Sequence, residues 1–171
     1  MVDDEPKDGA VPVLDSTPPL RSVGFTISAT GYAIARTFKE ILAPLQLEPR
    51  EFSLLRAVGA AEGQSQQTIG ERLQIPSSRM VAFVDALEAR GLLQRRQNPD
   101  DRRARALFLT EDGHELLERS FTAAAGHELN LTGELSPEER DQLLALLEKV
   151  GNRLGLAGGN SGRGHPALAD E

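Results

Sequence analysis

Apolar residues recur along the chain at the three- and four-residue spacing of amphipathic helices, and this pattern predicts six helices. The first apolar stripe runs from Ile27 to Leu45, and Pro44 is expected to end or kink that helix. The apolar positions of the six helices, in chain order, are Ile27, Ile34, Phe38, Ile41 and Leu45; Phe52, Leu55 and Val58; Ile69 and Leu73; Met80, Phe83, Val84 and Leu87; Leu116, Leu117, Phe121 and Leu129; and Leu143, Leu144, Leu146, Leu147, Val150 and Leu154.

Polar residues, prolines and glycines at the ends of these stripes predict where the helices begin and end. Pro49 suits the first turn of the second helix, and Gly91 suits a left-handed position at the end of the fourth. Ser65 and Thr110 are expected to cap the third and fifth helices. The sequence SPEE at 136–139 is a capping box that opens the sixth helix.

Two strand-like runs, LLQRRQ and ARALFLT, follow the fourth helix and flank the turn sequence NPDDRR. Asn98-Pro99 favours a turn, so the residues after it should project from the body of the protein. Asp101 is expected to hold this loop and to orient the guanidinium group of Arg103. Two short helices followed by such a hairpin predict a helix-turn-helix with a wing.

Composition divides the chain into a helical body between two flexible ends. Residues 1–20 are acidic and rich in proline, residues 155–171 are rich in glycine, and both are expected to be flexible. Residues 21–154 are expected to form one domain. The N-terminus is unlike a signal peptide and no apolar run is long enough to span a membrane, so we expect a cytoplasmic protein.

The charge is spread unevenly. Six arginines between Arg90 and Arg105 stand against Asp100 and Asp101, a local +4 that leaves −11 for the rest of a chain whose net charge is −7. This asymmetry favours one face that binds a polyanion. The other interpretation is a solvated arginine cluster paired with nearby carboxylates, which would have no binding role.

The helix-turn-helix interpretation assigns a role to these arginines. In such a module the second helix lies in the major groove of DNA with its first residues over the bases, and here Arg79 is placed to bind a guanine. An arginine at a projecting tip, such as Arg103, suits the minor groove, and the neighbouring arginines can reach phosphates. The predicted DNA-contacting residues are Ser65, Gln66, Pro76, Ser77, Ser78, Arg79, Ala82, Arg95, Arg96, Asp101, Arg102, Arg103 and Arg105.

The segment from Ile69 to Thr110 resembles the winged-helix core of the MarR family of transcriptional regulators. The matching motifs are VDALEARGL at 84–92, Arg95, and Asp101-x-Arg103 before Leu109-Thr110, and the similarity extends over roughly residues 22–153. LEPREFSLL, upstream, is similar to the family's segment that opens the second helix. Two positions depart from the family pattern. Glu48 replaces a common threonine and should be a poorer cap, and Ala82 replaces a polar or basic contact, so base readout should rest on Ser78 and Arg79.

The resemblance implies a mainly α fold with a winged helix-turn-helix core, residues 49–110, and a dimerisation region formed by helices at 22–45 and 111–154. It also implies a homodimer on a pseudo-palindromic operator, and a ligand that changes the spacing of the two DNA-binding halves. Independently, one side of the sixth helix is too apolar to face water, so it must be buried in a core or against a partner, and we favour a subunit interface. The predicted dimer contacts are Ile27, Ile34, Leu143, Leu146, Leu147 and Val150.

We therefore expect a homodimeric, ligand-responsive DNA-binding regulator, and most such families act as repressors. The alternative is a winged helix that binds another protein and does not recognise DNA sequences. A small aromatic or anionic effector would suit Tyr32, Arg36 and Arg56, although both arginines could equally form surface ion pairs.

Catalysis and bound metals are not expected. The chain has no cysteine, no nucleophile–base pair and no glycine-rich phosphate loop, which argues against an enzyme. Its histidines, His114, His127 and His165, lack the spacing of metal ligands and are expected to lie on the surface or in packing positions. No cofactor is therefore expected.

Overall fold

The computed structural model describes residues 22–97 and 105–156. In this part of the chain, six α-helices and two antiparallel strands follow one another in the predicted order. They are α1 (Val23–Leu42), α2 (Pro49–Gly59), α3 (Gln66–Leu73), α4 (Ser77–Ala89), β1 (Leu93–Gln97), β2 (Arg105–Leu109), α5 (Glu111–Thr132) and α6 (Pro137–Arg153). The mainly α winged-helix fold is confirmed. The predicted arm, residues 1–20, and nearly all of the predicted tail, residues 155–171, lie outside the described residues.

The chain divides into two compact units, residues 1–36 and 37–171. The described part of the first unit is the beginning of α1. Val23, Phe25 and Tyr32 are each more than 70% exposed there. Ile27 and Ile34 are half-buried.

The core of the second unit is formed mainly by α2, α3, α4 and the hairpin, with the last residues of α1 and the first turns of α5. Phe52, Leu55 and Val58 are buried as predicted, and Leu54 is also fully buried. Among the aromatic side chains, Phe52 contacts Phe38 edge to face at 5.7 Å between ring centroids. The fully buried large side chains are Leu42, Leu54, Leu55, Val58, Ile69, Met80, Val84, Leu87, Leu93, Leu107 and Ser120.

Helix boundaries follow from local hydrogen bonding. The Ser65 hydroxyl accepts from the Thr68 amide at 3.1 Å, and the Thr110 hydroxyl accepts from the Gly113 amide at 3.0 Å. The capping box at the start of α6 is present, with the Ser136 amide donating to Glu139 at 2.8 Å. α1 ends at Leu42, before a 3-10 turn that contains Pro44.

Two details of the helix ends refine the prediction. Gly91 has φ +69°, the left-handed conformation predicted after α4. At the start of α2, the Glu48 amide donates to the Glu51 carboxylate at 2.9 Å. The start of α2 therefore has side-chain support although position 48 is not a threonine.

The hairpin is paired on both sides of β2. β1 pairs with β2 in antiparallel register, with Leu93 opposite Leu109 and Gln97 opposite Arg105. On the other side of β2, Leu107 exchanges backbone hydrogen bonds with the chain before α3, donating to Gln64 and accepting from Gly63, both at 3.0 Å. β2 is thus a central strand, which fixes the position of the wing against α3.

The apolar faces of α5 and α6 are less buried than those of the core helices. Of the apolar positions predicted for α5, Leu116 and Leu117 are buried, whereas Phe121 is 46% and Leu129 is 62% exposed. Phe121 still contacts α2, where its ring lies edge to face with Phe52 at 5.8 Å between ring centroids. No residue of α6 is buried.

Candidate nucleic-acid interface

α3 and α4 form a helix-turn-helix with a tight connection. The turn begins at Gln74, which has φ +56°, and the Ile75 amide donates to the Gly70 carbonyl oxygen at 2.9 Å. Gly70 is buried where α3 meets α4, and a Cβ built on it would lie 3.4 Å from the Met80 side chain, an ordinary van der Waals distance. This packing holds α4 at a fixed angle on the lobe.

α4 has a buried side and an outward side. Met80, Val84 and Leu87 are buried against the core. The outward positions in the first two turns are Ser77, Ser78, Arg79, Val81 and Ala82, and all of them are exposed. The predicted contacts at 77, 78, 79 and 82 therefore lie on the accessible side of the helix.

The N-terminus of α4 can also attract an anion. Pro76 is the N-cap residue and no side chain caps the helix. The amides of the first turn and the helix dipole together favour a negatively charged group at this end, as a phosphate would be. Pro76 itself is exposed beside them.

Arg95 is held inside the lobe. Its side chain is only 14% exposed, and its guanidinium lies 2.6 Å from the Asp85 carboxylate and forms a second ion pair with Glu88. It also donates to the Gln66 side chain at 3.1 Å. These contacts join β1 to α4 and α3. The predicted contact of Arg95 with DNA stays a prediction.

Two other arginines of the hairpin are exposed. Arg96 lies over the ring of Phe108 at 4.8 Å from the centroid, a cation–π contact across the two strands. Arg105 stands opposite Gln97 at the outer end of the described strands. The predicted tip residues Asp101, Arg102 and Arg103 lie outside the described residues.

The first turn of α3 is engaged in local contacts. The Ser65 hydroxyl caps the helix and lies 2.8 Å from the Thr68 hydroxyl. Gln66 accepts from Arg95, as described above. Their predicted contacts with DNA stay predictions.

Sequence reasoning missed the carboxylates that position the interface. Asp85 and Glu88 are three residues apart on a helix, which places both on one side, facing Arg95. The signal was this spacing together with an arginine shortly after the helix end. A similar contact was missed at Arg90, which pairs with Glu51 at 3.2 Å and donates to the Gln46 carbonyl oxygen at 2.7 Å.

The apolar side of α6 is a second candidate surface. Leu143, Leu146, Leu147 and Val150, the predicted dimer contacts, are 43%, 51%, 43% and 37% exposed. Leu144 and Leu154 are exposed as well. Among the residues that the structure describes, the hydrophobic core includes no side chain of α6.

The histidines that the structure describes have packing or surface positions. His127 is 8% exposed, with its Nε2 atom 2.8 Å from the Thr37 hydroxyl and its ring against Phe38. His114 lies on the surface, 3.2 Å from Glu62. Within residues 22–97 and 105–156, no group of three or more histidine, aspartate and glutamate side chains could hold a metal ion. None of the helices described is long and apolar enough to cross a bilayer.

Comparison with known proteins decides the family. The profile of the MarR family matches residues 45–104. The transcriptional regulator PecS of Dickeya dadantii is 32% identical over 139 residues, which cover 80% of this chain and 83% of PecS. YkoM, an HTH-type transcriptional regulator of Bacillus subtilis, is 37% identical over 103 residues, 60% of this chain and 67% of YkoM.

The chain belongs to the MarR family. Solved structures of this family share its fold. A structure of the transcriptional repressor CouR bound to a 23-mer DNA duplex is 36% identical, with a TM-score of 0.69 over 76% of this chain and 92% of that one. CouR bound to p-coumaroyl-CoA is 34% identical, with a TM-score of 0.66 over 76% of this chain and 91% of that one.

Family membership confirms the general class of function. The chain is a DNA-binding transcriptional regulator and not an enzyme, as the sequence predicted. In this chain, the candidate nucleic-acid interface consists of the exposed side of α4 and the arginines of the hairpin.

Proposed function

We propose that this MarR-family protein is a homodimeric repressor that binds a pseudo-palindromic operator. α4 enters the major groove, and the hairpin of β1 and β2 lies along the backbone toward the minor groove. The observation that carries the proposal is the pairing of an exposed, uncapped α4 N-terminus with an arginine-bearing hairpin fixed to the same helix. The CouR structure with a DNA duplex supports it, since that protein has the same fold.

Each group at the interface has a distinct part. Ser77, Ser78 and Arg79 stand over the bases and adjacent phosphates, while Arg96 and Arg105 contact the backbone beside them. Arg95 acts indirectly, because its ion pairs with Asp85 and Glu88 hold the hairpin at the angle that the groove requires. Contacts of Asp101, Arg102 and Arg103 in the minor groove are part of this proposal.

A salt titration tests DNA binding. Duplexes selected from a random pool by the full chain should lose roughly a thousandfold or more in affinity between about 50 mM and about 200 mM salt, because many phosphates are contacted by two subunits. Competitor DNA of unrelated sequence should not displace them. Weak, salt-insensitive binding would contradict the proposal and would favour a winged helix that binds protein.

The homodimer is supported by α6. Its exposed leucines form one continuous apolar side. In a symmetric dimer this side of one subunit would pack against the same side of the other, so that one interface buries both. Ile27 and Ile34 of α1 are proposed to contribute to the same dimer. Half-sites should then lie about 10 base pairs apart, one turn of the duplex.

Regulation by a small ligand completes the proposal. CouR bound to p-coumaroyl-CoA supports an aromatic or anionic effector for this chain. An effector that favours one dimer geometry would weaken operator binding by a coupling of about 1–3 kcal/mol. Adding p-coumaroyl-CoA to a complex with the selected duplex should release DNA where coenzyme A alone does not, and equal effects of both would contradict an aromatic acyl effector.

A further inference from the structure

The outward side of α4 carries almost no long polar side chain. On a helix of 3.6 residues per turn, Ser78, Ala82 and Asp85 lie one above another, with Val81 beside them and Arg79 at the opposite edge. All five are exposed, and Val81 keeps 45% of its surface accessible. A single exposed valine needs no explanation, but this one lies on the side of α4 that the proposed function turns toward the bases.

The polar groups on this side are already constrained. The Asp85 carboxylate is 2.6 Å from the Arg95 guanidinium and its charge disfavours close approach to a phosphate. Ser78 has a short hydroxyl that can donate or accept a hydrogen bond, so it does not select one base. What remains for discrimination in the second turn is the pair of apolar side chains, Val81 and Ala82.

The surroundings of this pair identify what covers it. Arg79 is exposed on the same helix, and Arg96 and Arg105 are exposed on the hairpin that Arg95 joins to α4. A positively charged surround complements a polyanion and is unsuited to an apolar peptide. In the major groove, the C5 methyl group of thymine is the apolar group that a protein can read.

We propose that Val81 and Ala82 form a methyl-reading patch that selects thymine at adjacent positions of each operator half-site. The inference rests on the proposed function, because it requires α4 to lie in the major groove. The Val81 side chain supplies two methyl groups and Ala82 supplies one, and their packing against thymine removes apolar surface of both partners from water. A cytosine at these positions would place its amino group against the patch without a hydrogen-bond partner.

Replacing thymine by uracil tests this directly, because uracil pairs in the same way and lacks only the methyl group. A duplex enriched from a random pool would be synthesised with deoxyuridine at one thymidine position at a time, and its affinity for the full chain measured by fluorescence anisotropy. We expect a loss of about fourfold for each methyl group that the patch contacts, at one or two positions in each half-site. Uracil at other positions should have no effect.

Protein variants show whether the patch is responsible. Val81→Ala and Ala82→Ser change exposed side chains and should leave the fold intact. Each substitution should weaken binding to the thymine duplex. Each variant should also bind the thymine and uracil duplexes with more nearly equal affinity than the unmodified protein does. A double-mutant cycle over the two proteins and the two duplexes would measure this coupling. Arg96→Gln is the control, since losing a backbone contact should weaken binding to both duplexes by the same factor.

The outcomes separate the two proposals. Tight, salt-dependent binding that is insensitive to uracil at every position would overturn methyl reading and leave the proposed function standing. Uracil sensitivity that persists unchanged in both variants would also overturn it. Failure to bind any duplex would contradict the proposed function, and methyl reading with it.

Discussion

The lobe from α2 to β2 and the helix α6 solve the burial of apolar side chains differently. In the lobe, Leu54, Leu55, Val58, Ile69 and Leu107 are fully buried by other parts of the same chain. In α6, which has just as regular an apolar stripe, no residue is buried. The same sequence pattern therefore produces a buried side where other elements of the chain pack against it and an exposed side where they do not.

The difference separates recognition from assembly. A lobe with its own core can hold α4 and the hairpin in a defined relation, which is what reading a groove requires. α6 adds no buried residue to that core, so its apolar side is accessible to the second copy that the proposed function requires. Four predictions test this separation, beginning with the largest expected effect.

The junction of α5 with the lobe is the most sensitive point. A Cβ on Gly113 would overlap the Leu92 carbonyl oxygen and lie 3.0 Å from the carbonyl carbon. Gly113→Ala should lower the free energy of unfolding by about 3 kcal/mol or more, because backbone has to move. Urea denaturation followed by circular dichroism would measure this.

Another glycine of α5 provides the control. A Cβ on Gly126 would meet no other described part of the chain within 4 Å, so Gly126→Ala should be neutral or stabilise the helix by up to about 1 kcal/mol. Similar destabilisation by both substitutions would show that the close contact at Leu92 is not what matters.

The apolar side of α6 should control assembly and not folding. Leu147→Glu places a charge in the middle of the proposed dimer contact and should raise the dimer dissociation constant by about a hundredfold or more. The lobe should keep its circular dichroism spectrum, since no core residue among those described lies in α6. Sedimentation velocity over a range of concentrations would measure the change.

Ala145→Glu is the matched control, because it adds the same charge to the opposite side of α6, where the site is also exposed. It should leave the dimer intact. If Leu147→Glu and Ala145→Glu behave alike, α6 is not the dimer contact.

Arg95 and Arg96 are neighbours in sequence with opposite environments. Arg95→Ala removes a guanidinium that is only 14% exposed and pairs with two carboxylates, so it should lower the free energy of unfolding by about 1–2 kcal/mol. It should also weaken DNA binding. Arg96→Ala should cost less than about 1 kcal/mol of stability, since it loses only an exposed cation–π contact. Thermal denaturation in the absence of DNA would compare them, and equal losses would contradict a positioning role for Arg95.

The smallest effect concerns the start of α6. The pKa of Glu138 is lowered by hydrogen bonds that its carboxylate accepts from the Glu138 backbone amide and from the Ser136 hydroxyl. Because the folded-state pKa lies below the unfolded one, the carboxylate stabilises the protein above its ordinary titration range, and this is lost as the pH falls through the folded pKa. Glu138→Gln should lower Tm slightly at pH 7 and by less as the pH falls below the ordinary titration range of a glutamate, and a deficit that does not shrink in acid would contradict this cause.

Much of the fold was predictable because its signals are local. Ser65, Thr110 and Ser136 indicated helix starts through side-chain hydrogen bonds that span three residues, and Gly91 indicated a helix end. The strands of the hairpin were predictable for the same reason. The exposure of α4 at 77–79 and 82 followed from helical periodicity once Met80, Val84 and Leu87 were assigned to the core.

What could not be predicted depends on distant parts of the chain. The ion pairs of Arg95 with Asp85 and Glu88 form only after α4 and β1 pack together, so the sequence showed the charge of Arg95 and not its partners. Likewise, Leu129 has the spacing of a core residue, but α5 extends beyond the lobe at that point. Periodicity shows that a side is apolar and does not show what covers it.

We propose that one molecule recognises DNA through its lobe and meets a second copy through α6. The mass of the complex between the full chain and a selected duplex, measured by native mass spectrometry, tests this most directly. We predict two 18.5-kDa chains on each duplex, and a Leu147→Glu variant that binds the same duplex with one chain at low protein concentration. A single chain bound to each duplex in the unmodified protein, or no complex with any duplex, would contradict the claim.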